Sequence, residues 1–435
     1  MSSDLYPKIK FRRLLIEPVR NGIYKQKEFH GRGCKVINMG ELFSHQRLYD
    51  VPMKRVEISE NDAAKSLVRV DDLLFARRSL VASGAGKCSI IKEINEPTTF
   101  ESSIIRARPD PCLASSDYLY YFFSSPIGRE RMGTILRQVA VSGITGSDLM
   151  DLDIGCPPLV VQKAIAGVLS LLDDRIALLG ETNATLAAIA QALFKSWFVD
   201  FDAVRAKQDG RVPEGMDEAT AALFPDVLEE SELGTVPRGW RVCPLDEIAT
   251  YLNGLALQKF PPAADSWLPV IKIAQLRKGD TVGADRAGRN IKSEYVIRDG
   301  DVLFSWSGSL EVEIWCGGEG ALNQHLFKVT SDRFPKWFYY LWTKRHLENF
   351  RQIAASKATT MGHIQRVHLS QAKVTVPPEE VIRAANEIFG PLFDRSVATI
   401  LQAKNLAAIR DTLLPRLISG QLRLGDADEM LQQAA

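Results

Sequence analysis

Few residues in this chain stand at a spacing that could make or break a covalent bond. Methyl transfer to a base calls for an Asn/Asp-Pro-Pro-Tyr/Phe motif to hold the flipped base. None occurs, and Asp110-Pro111-Cys112 is only superficially similar and reads as a loop. A nucleotide-driven motor needs Gly-x-x-x-x-Gly-Lys-Ser/Thr to cradle phosphates. Around Gly84-Ala85-Gly86-Lys87-Cys88, Val81 takes the first glycine position and Cys88 the hydroxyl position. Glu311 and Glu313 are too few and too isolated for a nuclease centre and read as a charged loop. His30, His45, His325, His346, His363 and His368 show no zinc spacing with cysteine. Cys34, Cys88, Cys112, Cys156, Cys243 and Cys316 form no Cys-x-x-Cys pair and read as reduced, mostly buried thiols of a cytosolic protein.

The chemistry left is non-covalent recognition. Arg77, Arg78, Ser79 and Lys87 follow one apolar run, and Ser305, Ser307, Asn323, Gln324 and His325 follow another. Arginine suits guanine O6/N7, asparagine and glutamine suit adenine, and lysine suits phosphate. A further polar stretch, Lys357 to His363 with Thr359 and Thr360 inside it, has Val141-Ser142-Gly143-Ile144-Thr145 as its counterpart. Together these give the candidate recognition residues, which the family resemblance given below assigns to DNA binding: Arg77, Arg78, Ser79, Lys87, Ser305, Ser307, Asn323, Gln324, His325, Thr359, Thr360 and His363. No residue is assigned to catalysis or to a metal.

The elements that must position these loops come in two copies. Asn21-Gly22-Ile23 answers Asn253-Gly254-Leu255, and Val36-Ile37-Asn38-Met39 answers Val270-Ile271-Lys272-Ile273. Val70-Asp71-Asp72-Leu73-Leu74-Phe75 answers Arg298-Asp299-Gly300-Asp301-Val302-Leu303-Phe304. Pro157-Pro158, Asp174-Arg175 and Leu186-Ala187-Ala188-Ile189 recur together 220 residues later. Each copy opens with a β-rich part holding short helices, such as Asp117 to Phe123 and Lys336 to Trp342, and ends in a long helix. Ile165, Leu169, Leu172, Ile176, Leu179, Leu186 and Leu193 form a heptad seam that predicts a helix of some forty residues, roughly 60 Å long. The second helix, about Glu379 to Ile418, should be kinked or interrupted at Gly390-Pro391. The two seams are expected to bury each other antiparallel, through Leu172, Ile176, Leu179, Leu186, Leu406 and Leu413, with acidic outer faces turned to partners. Charge follows the same division: residues 1–156 carry a net +4, 157–240 −6, 241–376 +5 and 377–435 −2. The basic segments are where a phosphate backbone could be neutralised. No uninterrupted apolar run of about 18 residues suggests a membrane span, and Met-Ser-Ser-Asp-Leu-Tyr-Pro has no apolar core of a secretion signal.

Three strings carry a resemblance to a known family: Leu193-Phe194-Lys195-Ser196-Trp197-Phe198-Val199-Asp200-Phe201-Asp202, Ser231-Glu232-Leu233-Gly234-Thr235-Val236-Pro237-Arg238-Gly239-Trp240, and Leu413-Leu414-Pro415-Arg416-Leu417-Ile418-Ser419-Gly420-Gln421-Leu422. Together with Leu223-Phe224-Pro225-Asp226, they resemble the specificity subunits of type I restriction–modification systems. The resemblance implies an α+β fold with a pseudo-two-fold repeat, in which two β-rich target-recognition domains are separated by two long antiparallel coiled-coil-like helices. It implies domains at 1–156 and 241–376, helices at 157–200 and 377–425, a linker at 201–240 and a tail at 426–435. It also implies a non-catalytic chain that reads a bipartite, asymmetric site on double-stranded DNA and docks two methyltransferase subunits and restriction-translocation subunits in the cytoplasm, with no membrane. S-adenosylmethionine, ATP and magnesium would belong to those partners and not to this chain. The first domain has no clear copy of the Leu-Gly-x-x-Pro-x-Gly-Trp entry, only Tyr6-Pro7-Lys8-Ile9-Lys10, and Trp306 stands where the family frequently has a basic residue. Two other readings stay open on sequence: a nuclease or methyltransferase with an unrecognised motif, and a protein-interaction scaffold that touches no DNA.

Overall fold

A computed structural model describes residues 5–137, 142–356, 362–423 and 425. The chain divides into two compact units, Met1–Ile176 with Asn405–Ala435, and Ala177–Lys404. The division cuts both long helices, Leu159–Phe198 and Glu379–Ser419, so each unit holds one β-rich domain and part of each helix.

In the first unit the domain is closed at its ends, where Lys8–Lys10 pairs antiparallel with Asp153–Gly155. Its main sheet runs in the order Arg20–Asn21, Ile104–Ala107, Leu73–Ala76, Cys88–Ile91, Arg47–Leu48. The strand Leu73–Ala76 is buried on both faces. Because successive side chains alternate, Leu73 and Phe75 join one core with Phe11, Tyr118 and Phe123, while Leu74 and Ala76 join a second with Ile37 and Phe100. The helix expected over Asp117 to Phe123 forms at Ser116–Ser124, with the Ser115 hydroxyl accepting the Tyr118 N–H.

The second unit repeats this plan. Arg241–Pro244 pairs with Lys373–Val376 at the domain ends. The central strand Val302–Ser305 again splits its side chains, Val302 and Phe304 into one core and Leu303 into another. The helix expected from Lys336 continues to Ser356. Both Asn-Gly pairs lie where two backbones touch: a Cβ on Gly22 would sit 2.2 Å from the Glu101 carbonyl oxygen, and one on Gly254 would sit 2.2 Å from that of Asn323. Only glycine fits there.

Each long helix packs in both units. In the first, Ile165, Leu169 and Leu172 share a core with Leu413, Leu417 and Ile418, and Arg410 donates to Asp173 at 2.7 Å. In the second, the Ser396 hydroxyl donates to Asn183 while Trp197 packs on Phe389, so partner numbers fall along one helix as they rise along the other. The helices are therefore antiparallel. The heptad seam holds through Leu172 and Leu179 and then drifts: Leu186 and Leu193 are half-buried, as is Ile176, and Ala190, Phe194 and Trp197 are buried instead. An 11-residue step from Leu179 to Ala190 follows the natural pitch of a straight helix, which a strict heptad does not. Leu172, Leu179 and Leu413 are thus used up in packing within the chain, and Leu406 is half-buried.

Three expectations change. Glu379–Ser419 runs unbroken through Gly390-Pro391. Pro391 lacks an N–H for the Glu387 carbonyl, but both residues are exposed, so water can satisfy that carbonyl. The exposed side of the first helix is mixed rather than acidic: Val160, Leu171, Leu178 and Ile189 stand exposed alongside charges of both signs, among them Asp174, Arg175 and Lys195. The acids of its segment lie mostly beyond it: the helix itself carries Asp173, Asp174 and Glu181 alone. By length and composition this helix could cross a membrane, with a mean hydropathy of 1.3 in its most apolar stretch. Small residues interrupt any apolar run, which is why no span was expected, and the leucines divide between an inner seam and an outer stripe.

Residues 201–240 are more than a tether. Phe201, Val204, Phe224, Val236 and Trp240 are buried in one core with Phe194, Trp197 and Phe198, and Trp240 lies 5.6 Å from Phe201 and 5.9 Å from Phe198 between ring centroids. The strings that carry the family resemblance are therefore packing residues. In the first unit the C-terminal string plays the same part: Gly420, at φ +79, ends the helix, and its Cα lies against the Tyr6 ring.

Candidate nucleic-acid interface

The candidate residues sit on a backbone frame that occurs once in each unit. The Ile144 N–H donates to the Arg77 carbonyl at 3.0 Å, and the Ile364 N–H donates to the Trp306 carbonyl at 3.0 Å. Gly22 donates to Ile104 and Gly254 to Leu326, again at 3.0 Å in both. Strand register extends the match: Ala76 faces Ile104 as Ser305 faces Leu326. Arg77 thus corresponds to Trp306, Arg78 to Ser307 and Gly143 to His363. The repeat spacing shrinks from 232 residues at the glycines to 220 at Ile144 and Ile364, which locates the length differences in the loops between.

In the second unit three loops converge on Trp306. Ser307 bridges to His363, and Leu255 bridges to Asn323. The Trp306 indole N–H donates to Asn253 at 3.0 Å, its ring lies 5.9 Å from His325 and 6.3 Å from His363, and Ser307 Oγ meets His325 Nδ1 at 3.1 Å. Gln324 Nε2 lies 3.4 Å from His325 Nε2. Four candidates, Ser307, Gln324, His325 and His363, therefore share one site. Two others are engaged by the fold. Ser305 is fully buried, donating to the Ser309 carbonyl at 2.6 Å and accepting from the Glu311 N–H at 2.8 Å. Asn323 is buried, and its side-chain oxygen accepts the His325 N–H at 3.2 Å. Both close turns and present no amide or hydroxyl edge to a base. Thr359 and Thr360 lie outside the described residues.

In the first unit Arg78–Ser79 forms a short strand with Ser142–Gly143, and Arg78 is exposed. Arg77 is half-buried and donates to the Ser102 carbonyl at 3.3 Å. Lys87 turns inward instead: its ammonium donates to the Phe43 carbonyl at 3.0 Å, and burial, with Arg129 nearby, holds its pKa below the usual lysine value. A lysine so engaged is a loop fastener rather than a phosphate contact.

Four residues of these frames escaped sequence reading. Arg129 donates to the Ser83 carbonyl at 2.8 Å and the Ala85 carbonyl at 3.3 Å. Arg351 donates to the Leu310 carbonyl at 3.1 Å and to Glu311 at 3.0 Å. Each arginine reaches from a helix to brace the loop after a central strand, and their separation of 222 residues within the repeat was the available signal. Asn253 and Trp306 also belong to the second site, and the doubled Asn-Gly was the sign pointing to Asn253.

Comparison with known proteins agrees with the doubled frame. The pattern of the type I restriction modification DNA specificity domain matches residues 23–188 and again 237–403. The type I restriction enzyme MjaIX specificity subunit of Methanocaldococcus jannaschii is 24% identical over 92% of this chain and 89% of its own. The HindI specificity subunit of Haemophilus influenzae is 24% identical over 89% of this chain and 94% of its own. The crystal structure of the type I restriction–modification S subunit from M. genitalium aligns over 96% of this chain and 99% of its own, with a TM-score of 0.55 at 15% identity, a likeness of fold.

Proposed function

This chain belongs to the type I restriction–modification DNA specificity family, and from that premise we propose that each of its two units reads one half of a split DNA target. One observation carries the reading: the same backbone frame recurs, with Arg77 and Arg78 on one copy and Trp306 and Ser307 on the other. A shared scaffold with different reading side chains suits two half-sites of different sequence. In the first unit Arg78 has the reach and donors for a guanine edge. In the second, Gln324, His325 and His363 around Trp306 supply donors, acceptors and an aromatic surface, while Ser307 is buried and bonded to His325.

The chain is a non-catalytic subunit that selects the DNA and leaves bond chemistry to its partners. Two methyltransferase subunits would dock along the long helices, and the exposed stripe of the first helix supports this. Val160, Leu171, Leu178 and Ile189 are spaced by 11, 7 and 11 residues, so each lies within about 20° of the last around the helix. Exposed aliphatic side chains aligned along one side of a helix support a partner-covered surface there. Restriction-translocation subunits would join this assembly in the cytoplasm, and S-adenosylmethionine, ATP and magnesium would be bound by the partners.

Mapping of methylated bases in host DNA, with and without the gene for this chain, tests the proposal. A two-part methylated sequence should disappear with the gene. An unchanged methylation pattern, with the partner subunits expressed, would overturn it.

A further inference from the structure

The first unit carries an insertion in its reading loop that the second lacks. Eleven residues separate Ala76 from Cys88, and six separate the corresponding Ser305 and Val312. At the tip of the longer loop Leu80 is 89% exposed and Val81 66% exposed. The corresponding stretch of the second unit buries its one aliphatic side chain, Leu310, and leaves Trp306 half-buried.

The exposure does not come from a loose loop. The Val81 N–H donates to Ser79 Oγ at 3.2 Å, the Gly84 N–H to the Val81 carbonyl at 2.9 Å, and the Gly86 N–H to the Ala76 carbonyl at 2.8 Å. Gly86 adopts φ +69, Arg129 clamps the Ser83 and Ala85 carbonyls, and Lys87 fastens the loop's end to Phe43. Two aliphatic side chains are thus held out into water, and their ordering cost has been met before any partner arrives.

The loop's composition indicates which partner. From Arg77 to Cys88 it contains no carboxylate and leaves Arg78 exposed, and Leu80 directly follows the Arg78–Ser79 strand. A cationic loop attracts a polyanion. In the major groove of unmodified DNA, the thymine C5-methyl is the one aliphatic group that a base edge presents. We infer that Leu80 and Val81 read a thymine methyl in the half-site of the first unit, beside the base edge within reach of Arg78. This inference rests on the DNA-reading function proposed above and adds to it a base identity.

The test uses the complex of this chain with its methyltransferase partner and the target found by methylation mapping. Each thymine of the first half-site is replaced in turn by deoxyuridine, which removes the methyl and keeps the base-pairing edge. One replacement should weaken binding roughly fourfold to tenfold, the worth of one buried methyl. That penalty should vanish in the Leu80→Ser/Val81→Ser variant, whose changes are at exposed positions and leave the core intact. A first half-site without thymine, or deoxyuridine tolerated at every position, overturns the inference while leaving DNA reading in place. So does a variant that retains the penalty, or one that instead loses the methyltransferase and so shows the pair to be a protein contact. Absence of sequence-selective binding by the wild-type complex would overturn the function proposal itself, and this inference with it.

Discussion

Gly254 and Asn323 set the limits of what one side chain can change in the second reading site. The Gly254 Cα faces the Asn323 and Leu322 carbonyls with no room for a methyl group, so Gly254→Ala must push two backbone segments apart. A loss of about 1–3 kcal/mol is expected, read as a lower denaturant midpoint. Gly180→Ala, in the first long helix with open space around it, should instead gain up to about 1 kcal/mol by the same measurement. Arg78→Ala and Asn323→Ala should separate reading from folding. Arg78 is exposed, so its loss should leave stability within about 0.5 kcal/mol and weaken binding by about 1–3 kcal/mol, with relaxed selectivity in one half-site only. Asn323→Ala should lower stability, because the His325 N–H loses its acceptor inside the fold. Uniform loss of affinity across sequences for Arg78→Ala would mark it as a phosphate contact. The sequence singles out loops that the structure brings together around Trp306, but it does not rank the residues within them. A polar residue after a strand looks the same in sequence whether its side chain is buried and bonded to its own turn, as at Ser305, or stands exposed, as at Arg78.

Helices carried the clearest sequence signal and also its clearest error. Periodicity locates the first long helix to within a few residues, because burying a seam of leucines is a repeated demand on every turn, and the 220-residue repeat carries that reading to the second. It fails at Leu193, where a regular heptad runs past the point at which a straight helix brings Ala190, Phe194 and Trp197 inward. The outer stripe lies off that seam, so the same period does not reveal it. Leu171 and Leu172 test the distinction at adjacent positions. Leu172 is 5% exposed in the core of the first unit, so Leu172→Asp buries an unpaired charge and should cost about 3–5 kcal/mol, seen as a lower melting temperature and poor yield. Leu171 is 68% exposed, so Leu171→Asp should change stability by less than about 0.5 kcal/mol yet abolish co-purification with the methyltransferase. If Leu171→Asp co-purifies at wild-type yield, the outer stripe is not the docking line.

At the scale of the whole molecule, each unit has its own core, and each domain begins and ends on one pair of strands. Arg241 is in register with Val376, so the two ends of residues 241–376 emerge side by side. A domain whose ends meet can be exchanged without stretching the chain between its junctions. Its underside, however, is not neutral. Trp337 stacks on Phe389 at 4.4 Å, Phe198 lies 5.9 Å from Phe338, and the Thr375 hydroxyl donates to the Phe198 carbonyl at 3.0 Å. An incoming domain must therefore bring aromatic residues to meet Phe194, Trp197, Phe198 and Phe389, or the unit will lose part of its largest core. Replacing residues 241–376 with the matching domain of a relative that retains such residues should yield a folded chain. In methylation mapping, the half-site read by the second unit should change to that of the donor, and the half-site read by Arg78 and its loop should stay as it was. The aromatic contacts supply a control: the same exchange combined with Phe389→Ala, a position outside the exchanged segment, removes the retained helix's side of that packing and should lower stability by about 3–5 kcal/mol without altering which half-sites are read in the chains that fold. A change in both half-sites on simple domain exchange would mean that the two frames do not read independently, and that the repeat in this chain is one of architecture alone.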